Sequence, residues 1–179
     1  MEMQFWLIPS FFSVALVYSM AGFAGGSSYL ALLVLSGMDY RLLPAVALVC
    51  NLAVASHSFY FFRRHFSLKS VLPFAVTSVP LAYLGGRMEI EKKTFILLLG
   101  LSLLAAGFRL FFSRKKEAVK SVSAPVLWTV GILSGAVLGF LAGLVGIGGG
   151  IFLSPLLMLM GWADAKRAAG AAAFFILIN

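Results

Sequence analysis

The sequence is poor in charged residues, and in acidic ones above all. Only 11% of its 179 residues are charged, and six of these are aspartate or glutamate. Soluble domains carry about 25% charged residues, so the composition argues against a water-soluble globular protein. A hydrophobic fraction of 61% and a mean hydropathy of +1.02 indicate a membrane protein instead.

Side chains that carry catalysis are also scarce. Cys50 is the only cysteine, which excludes an intrachain disulfide and a CxxC redox pair. His, Cys and carboxylate residues are not spaced as in a metal site, and no nucleophile is paired with a base. The sequence therefore predicts no enzyme, no cofactor and no bound metal.

The formal net charge of +8 comes from short basic clusters. Lysine and arginine gathered in short loops mark the cytoplasmic side of a membrane, so we expect no nucleic-acid partner. The loops 63–69 and 113–123 are predicted to be cytoplasmic, in a multi-pass protein of the cell (inner) membrane. Loop 87–93 mixes basic residues with Glu89 and Glu91 and is expected on the opposite side. The orientation of the N-terminus stays open.

Stretches with few charges divide the chain into segments of membrane length. A spanning helix needs about 20 apolar residues. Three segments fit one span each: 42–62, 70–86 and 94–112, the last with Arg109 near its end. The stretches 3–38 and 121–163 are too long for one crossing, and glycines interrupt both. Each is predicted to contain a full span followed by a half-helix too short to cross the bilayer.

The two interruptions are alike and lie 124 residues apart. The first glycine cluster is residues 22–26 (Gly-Phe-Ala-Gly-Gly), and the second is residues 146–150 (Gly-Ile-Gly-Gly-Gly). Internal duplication around broken helices is common in secondary transporters. We therefore predict an all-α, polytopic transmembrane helical bundle with two sequence-related halves. Its parts are 1–112 as the first repeat, 113–123 as a basic loop and 124–179 as the start of the second repeat.

On this alignment the second half stops early. Asn179 corresponds to position 55, in the middle of the predicted span 42–62. The sequence is therefore expected to be a C-terminally truncated part of a longer protein. A fragment without transport activity, or a structural or assembly partner in the membrane, stays open as the alternative function.

The second cluster and the residues after it carry a family resemblance. Residues 146–157 (Gly-Ile-Gly-Gly-Gly-Ile-Phe-Leu-Ser-Pro-Leu-Leu), then Gly161 and the alanine-rich 168–173, resemble the sulfite exporter TauE/SafE family. The first cluster, with the apolar residues 30–35, resembles the N-terminal repeat of that family. The resemblance implies a permease or exporter for a small anion, such as sulfite, a sulfonate or another organosulfur anion.

The glycine clusters are the candidate substrate site. A helix that restarts inside a membrane presents free backbone N–H groups and the positive end of its dipole, and glycine lets an anion approach the backbone. Close packing of small residues between helices is the alternative. The candidate ligands are Gly25, Gly26, Ser27 and Ser28 in the first half and Gly148, Gly149 and Gly150 in the second.

Polar residues inside the predicted spans are few. Asn51 lies mid-span, where contact with substrate and a hydrogen bond to a neighbouring helix are both open. No Asp or Glu lies inside a span, so the usual carboxylate proton relay is not predicted. His57 is the candidate proton carrier, although its place near Arg63 favours an interfacial histidine. The expected partners are a small anionic solute and the lipid bilayer, with a homo-oligomer left open.

Overall fold

The protein is an α-helical bundle in the computed structural model, which describes residues 5–20, 24–112 and 122–179. These ranges contain helices and turns but no strand, so the predicted all-α fold is confirmed. The helices are α1 (Leu7–Met20), α2 (Gly26–Leu35), α3 (Leu43–Phe62), α4 (Leu68–Arg87), α5 (Lys92–Phe112), α6 (Ala124–Val145), α7 (Gly150–Leu159) and α8 (Ala165–Ile178), with a 3-10 turn at Arg63–His65.

Three of the described helices are long and apolar enough to cross a membrane. They are Leu43–His65, which includes the 3-10 turn, Leu68–Arg87 and Ala124–Val145. Helix α5, predicted as a span, has 21 residues but is not among these three. The helices after the two glycine clusters, α2 and α7, have ten residues each. At 1.5 Å per residue they reach about 15 Å, half of the roughly 30 Å hydrocarbon core.

Left-handed backbone at glycine begins and ends both short helices. Gly25 (φ 79°) precedes α2 and Gly149 (φ 69°) precedes α7, while Gly37 (φ 77°) and Gly161 (φ 70°) follow them. A side chain at such a φ costs about 1–2 kcal/mol. The boundaries of α2 and α7 therefore coincide under the shift of 124 residues. The relation between two complete halves, and the division at 113–123, stay predictions.

Helices α4 and α6 pack closely against each other. Glycines recur at every fourth position of α6: Gly131, Gly135, Gly139 and Gly143. A Cβ atom added to Gly131 would lie 2.5 Å from Pro73 Cβ, and one added to Gly139 would lie 2.5 Å from Ser78 Cα. The two helices thus pack backbone against backbone, as membrane helices with small residues in steps of four do. Thr77 adds a hydrogen bond of 2.9 Å from its Oγ1 to the Ile132 carbonyl.

This packing fixes the relative direction of α4 and α6. Pro73 meets Gly131 and Ala82 meets Gly143, so the two helices run parallel and begin at the same end of the bundle. The loop before α4 and the residues directly before α6 therefore lie at the same end of the bundle, and the side of the membrane on which the basic loops lie stays a prediction. Residues 113–121 of the second loop lie outside the described residues.

Candidate functional site

The two glycine clusters meet around one small cavity inside the bundle. Gly25 and Gly26 of the first cluster line it together with Ser27, and Ile147 of the second cluster lines it together with Ile151. Its volume is about 10 Å³, close to the minimum that holds one water molecule. Two segments far apart in sequence thus share the walls of a single space.

Asn51 of α3 links the two clusters. Its side chain is 1% exposed, and its Nδ2 donates a hydrogen bond of 3.5 Å to the Ile147 carbonyl. Gly26 lies directly against the amide, because a Cβ atom at Gly26 would overlap Nδ2 and lie 2.8 Å from Oδ1. Glycine at this position is therefore required by the approach of α2 to Asn51. Of the two roles left open for Asn51, the hydrogen bond to a neighbouring segment is present.

The place where the two glycine clusters meet around Asn51 is the junction of the clusters. Two buried oxygen atoms at this junction lack a hydrogen-bond partner within the described part of the chain. They are Ser27 Oγ and Asn51 Oδ1. Leaving a buried polar atom unsatisfied costs about 1–3 kcal/mol, and most such atoms in native proteins are paired. The junction is therefore suited to a water molecule or a polar ligand.

The N-terminus of α2 adds backbone donors to the same place. The Tyr29 N–H donates to the Gly25 carbonyl at 2.9 Å. The backbone N–H groups before Tyr29 therefore lie ahead of the hydrogen bonds within α2, as the first N–H groups of any helix do. The positive end of the helix dipole lies here as well. Ser28, by contrast, donates from Oγ to the Tyr18 hydroxyl at 2.8 Å. Of the two candidate serines, Ser27 presents the hydroxyl that is free to bind a ligand.

The second glycine cluster is covered by apolar side chains of α8. A Cβ atom added to Gly148 would lie 3.0 Å from Ile176 Cγ2, and one added to Gly149 would lie 2.9 Å from Phe175 Cε1. The Gly150 N–H donates to the Gly148 carbonyl at 2.9 Å, which satisfies one donor at the start of α7. These three glycines allow close packing against α8, and their part in ligand binding stays a prediction.

The two clusters therefore differ in chemistry, although Gly25 and Gly149 are both left-handed and the helices that follow them have matching bounds. Under the shift of 124 residues, Asn51 corresponds to Phe175 and Ser27 to Ile151. The polar side chains of the junction come from α2 and α3, while the second cluster and α8 supply apolar walls and the Ile147 carbonyl. An anionic ligand would thus be held on one side only.

Comparison with known proteins decides the family. Residues 7–179 match the family described as sulfite exporter TauE/SafE. The chain belongs to the TauE/SafE family. It is also 32% identical over 177 residues to the probable membrane transporter protein y4hK of Sinorhizobium fredii, a match that covers 97% of this chain and 72% of that protein. No solved structure matches the chain.

Membership of the TauE/SafE family confirms the resemblance seen in the sequence. It makes the chain a multi-pass membrane transporter and not an enzyme. Reasoning from the sequence missed two parts of this TauE/SafE fold: the glycines of α6 that contact α4, and Ile147, whose carbonyl accepts from Asn51. The four-residue glycine period in α6 was the available signal for the first. The second had none, because Ile147 contributes through its backbone.

His57 lies away from this junction. It is exposed, whereas Asn51 and Ser58, which share a different face of α3, are buried. An exposed imidazole on the outer face of a helix does not contact the cavity between the glycine clusters. No contact in the described structure therefore supports a role for His57 as the carrier of a coupling proton.

We expect His57→Gln to retain solute flux within about twofold of the wild type and to leave the pH dependence of flux unchanged, since an exposed group away from the path contributes little free energy. Uptake into proteoliposomes at a series of pH values between 5 and 8 would measure this. A change in the pH profile of the variant would reinstate His57 as a coupling residue.

Proposed function

We propose that this protein is a secondary transporter of a small anion, namely sulfite, a sulfonate or another organosulfur anion, which passes through the junction of the two glycine clusters. One observation carries the proposal. The buried, unpaired Ser27 hydroxyl lies beside the free N-terminus of α2, where segments of both clusters share a cavity.

The donors at the junction suit an oxyanion. The Ser27 hydroxyl can donate one hydrogen bond, and Asn51 Nδ2 carries two N–H groups, of which one is directed to the Ile147 carbonyl. The N–H groups at the start of α2 add donors and a positive dipole end. No Asp or Glu lies in α1, α2, α3, α7 or α8, so no carboxylate opposes an anion there.

The small volume of the cavity implies a closed state. About 10 Å³ is close to the limit for one water molecule, whereas sulfite has four heavy atoms. Transport therefore requires the first and second clusters to separate and admit the anion from each side in turn. Broken helices in secondary transporters bind substrate between repeats in this way. The left-handed glycines Gly25 and Gly149 are the natural places for the backbone to turn.

The surface of the bundle supports a place in the cell (inner) membrane. Large apolar side chains point outward on the spanning helices, for example Val49 at 68% and Leu133 at 65% exposure. Arg63 stacks on Tyr60 at 4.2 Å at one end of the bundle, and Arg87 stacks on Tyr83 at 4.6 Å at the other. Aromatic and basic residues are typical of both membrane interfaces.

The charge of the loops indicates how the bundle is oriented in the membrane. The positive-inside rule puts the basic segments 63–69 and 113–123 in the cytoplasm. The lipid bilayer and the transported anion are the proposed partners, and a homo-oligomer stays open.

We expect Ser27→Ala to lower anion flux about tenfold. The substitution removes one hydroxyl donor, worth about 1–1.5 kcal/mol, and 1.4 kcal/mol is a factor of ten. Purified protein in proteoliposomes would be assayed for uptake of sulfite, thiosulfate, benzenesulfonate and acetate, so that the same experiment ranks the solutes.

Ser56→Ala is the matched control. Ser56 is exposed on the outer face of α3, and its Oγ donates to the Leu52 carbonyl of its own helix at 2.6 Å. We expect this variant to transport like the wild type. Equal flux through Ser27→Ala and the wild type would contradict the assigned site. Absence of flux for every solute in the wild type would favour the structural or assembly role.

A further inference from the structure

A second and much larger cavity lies at the end of the bundle remote from Arg63 and the start of α4. It is bounded by the loop before α3, the loop between α4 and α5, and the C-terminal turn of α6, and its volume is about 500 Å³. Small-molecule sites in proteins have volumes of roughly 300–1,000 Å³. A bare inorganic oxyanion would leave most of this space empty, whereas a small organic molecule would fill it.

The inner wall of this cavity is apolar. Pro44 and Leu48 of α3, Phe95 of α5 and Leu144 of α6 line it. Phe95 is 2% exposed, and its ring centroid lies 6.4 Å from that of Tyr40. An aromatic or aliphatic body in the cavity would therefore be removed from water on several sides, which is a favourable change for apolar surface.

The rim of the cavity carries one positive and one negative side chain. Arg41 and Glu89 both line it, and both are exposed. Within the described residues neither takes part in an ion pair of 4.0 Å or less, the only such pair being Arg167 with Asp164. The Arg41 guanidinium is therefore available to an anionic group of a ligand.

The position of Arg41 is set by its neighbours. Its backbone N–H donates to Asp39 Oδ1 at 3.1 Å, and its Cζ lies 5.9 Å from the centre of the Tyr40 ring. A hydrogen bond with Tyr40, followed by the charges of Tyr40, Asp39 and Glu89, raises the pKa of Arg41 above its usual value. The guanidinium thus stays positive and lies next to the Tyr40 ring, and both residues line the cavity.

We propose that this cavity is a second binding site, for organic monoanions with an apolar body. The Arg41 guanidinium holds the anionic group, and Pro44, Leu48, Phe95 and Leu144 enclose the body.

Helix α3 relates the position of this cavity to that of the junction of the glycine clusters. Pro44, Leu48 and Asn51 are spaced four and three residues apart on α3 and so lie on one face of the helix. Asn51 is thus the next residue on that face of α3 beyond the lining of the cavity, which ends at Leu48. Its role as a loading site for transport rests on the proposed function, but binding to it can be measured without transport.

The test is a binding measurement on the full chain in lipid nanodiscs. Isothermal titration would compare benzenesulfonate with benzenesulfonamide, which has the same body without the charge. We expect benzenesulfonate to bind about tenfold more tightly, and Arg41→Gln to remove that preference, since one charge-assisted hydrogen bond accounts for a factor of this size. Arg41→Lys should keep part of it. Ala45→Trp, which puts a large side chain into the cavity, should weaken both ligands.

Arg63→Gln is the matched control, because Arg63 is also an exposed arginine and lies at the opposite end of the bundle. We expect this variant to bind both ligands like the wild type. Equal affinity for the two ligands, or wild-type affinity in both Arg41→Gln and Ala45→Trp, would overturn the proposal. Ser27→Ala separates the two hypotheses, since it should keep the part of benzenesulfonate binding that depends on Arg41 while its flux falls about tenfold. Binding with the expected pattern but without flux in any variant would support this cavity and refute the transport proposal.

Discussion

Replacing Gly139 by leucine is expected to prevent stable folding, and replacing it by alanine should already destabilise the protein by about 1–3 kcal/mol. A Cβ atom at Gly139 would overlap the Ser78 carbonyl and lie 2.7 Å from Ser78 Oγ. The backbone atoms of α4 cannot rotate away as a flexible side chain could. The two helices must separate instead, and the contacts along Gly131, Gly135 and Gly143 are lost together.

Gly100→Ala is the control for this prediction. Gly100 lies in α5, and a Cβ atom there would meet no heavy atom within 4 Å. Glycine in a helix is less stable than alanine by roughly 0.5–1 kcal/mol, so this variant should be as stable as the wild type or more so. Thermal unfolding in detergent, together with the amount of protein in the membrane, would measure both. A wild-type melting temperature for Gly139→Leu would show that α4 and α6 do not pack as described.

The helices around the basic loops could be predicted closely from the sequence. The expected spans 42–62 and 70–86 became α3 (Leu43–Phe62) and α4 (Leu68–Arg87). Helix ends coincide with charged residues there because a charge is costly inside a bilayer. The N-terminal span was less accurate, since α1 has only 14 residues. An apolar run bounds the length of a helix but does not show where it starts.

The roles of individual glycines could not be predicted in the same way. Gly25 and Gly149 are needed for a left-handed turn, Gly26 for the approach of Asn51, and Gly139 for the approach of a whole helix. All are glycines in an apolar run, so local sequence does not distinguish these uses. They follow from which segments meet in space, as Asn51 and Ile147 do across 96 positions of sequence.

Some of the polar residues at the junction could be predicted from the sequence. Ser27 was a candidate because it follows the glycine break at the start of a helix, and Asn51 because polar groups inside a membrane span are few and costly. That their partners under the 124-residue shift are Ile151 and Phe175 could be read from the alignment. That Ser28 is bonded to Tyr18 while Ser27 is not depends on the rotation of α2 about its axis.

Asn51→Asp is expected to lower anion flux about 100-fold, equivalent to about 2.8 kcal/mol. The substitution keeps the shape of the side chain but replaces the donor directed at the Ile147 carbonyl with an acceptor. It also puts a carboxylate where the substrate anion would lie, and two negative charges in an interior repel each other strongly. Asn51→Ala removes the donor without adding a charge and should lose only about tenfold.

The comparison of these two variants separates an anion path from a structural role for Asn51. A carboxylate beside the N-terminus of α2 interacts favourably with the helix dipole, so part of the lost hydrogen bonding is offset and the aspartate variant should remain folded. If Asn51 acted only by joining α3 to the second glycine cluster, flux would follow stability in both variants. The proposed path requires flux in Asn51→Asp to fall below that in Asn51→Ala while its unfolding temperature does not. Equal flux in the two would rule out an anion at this position.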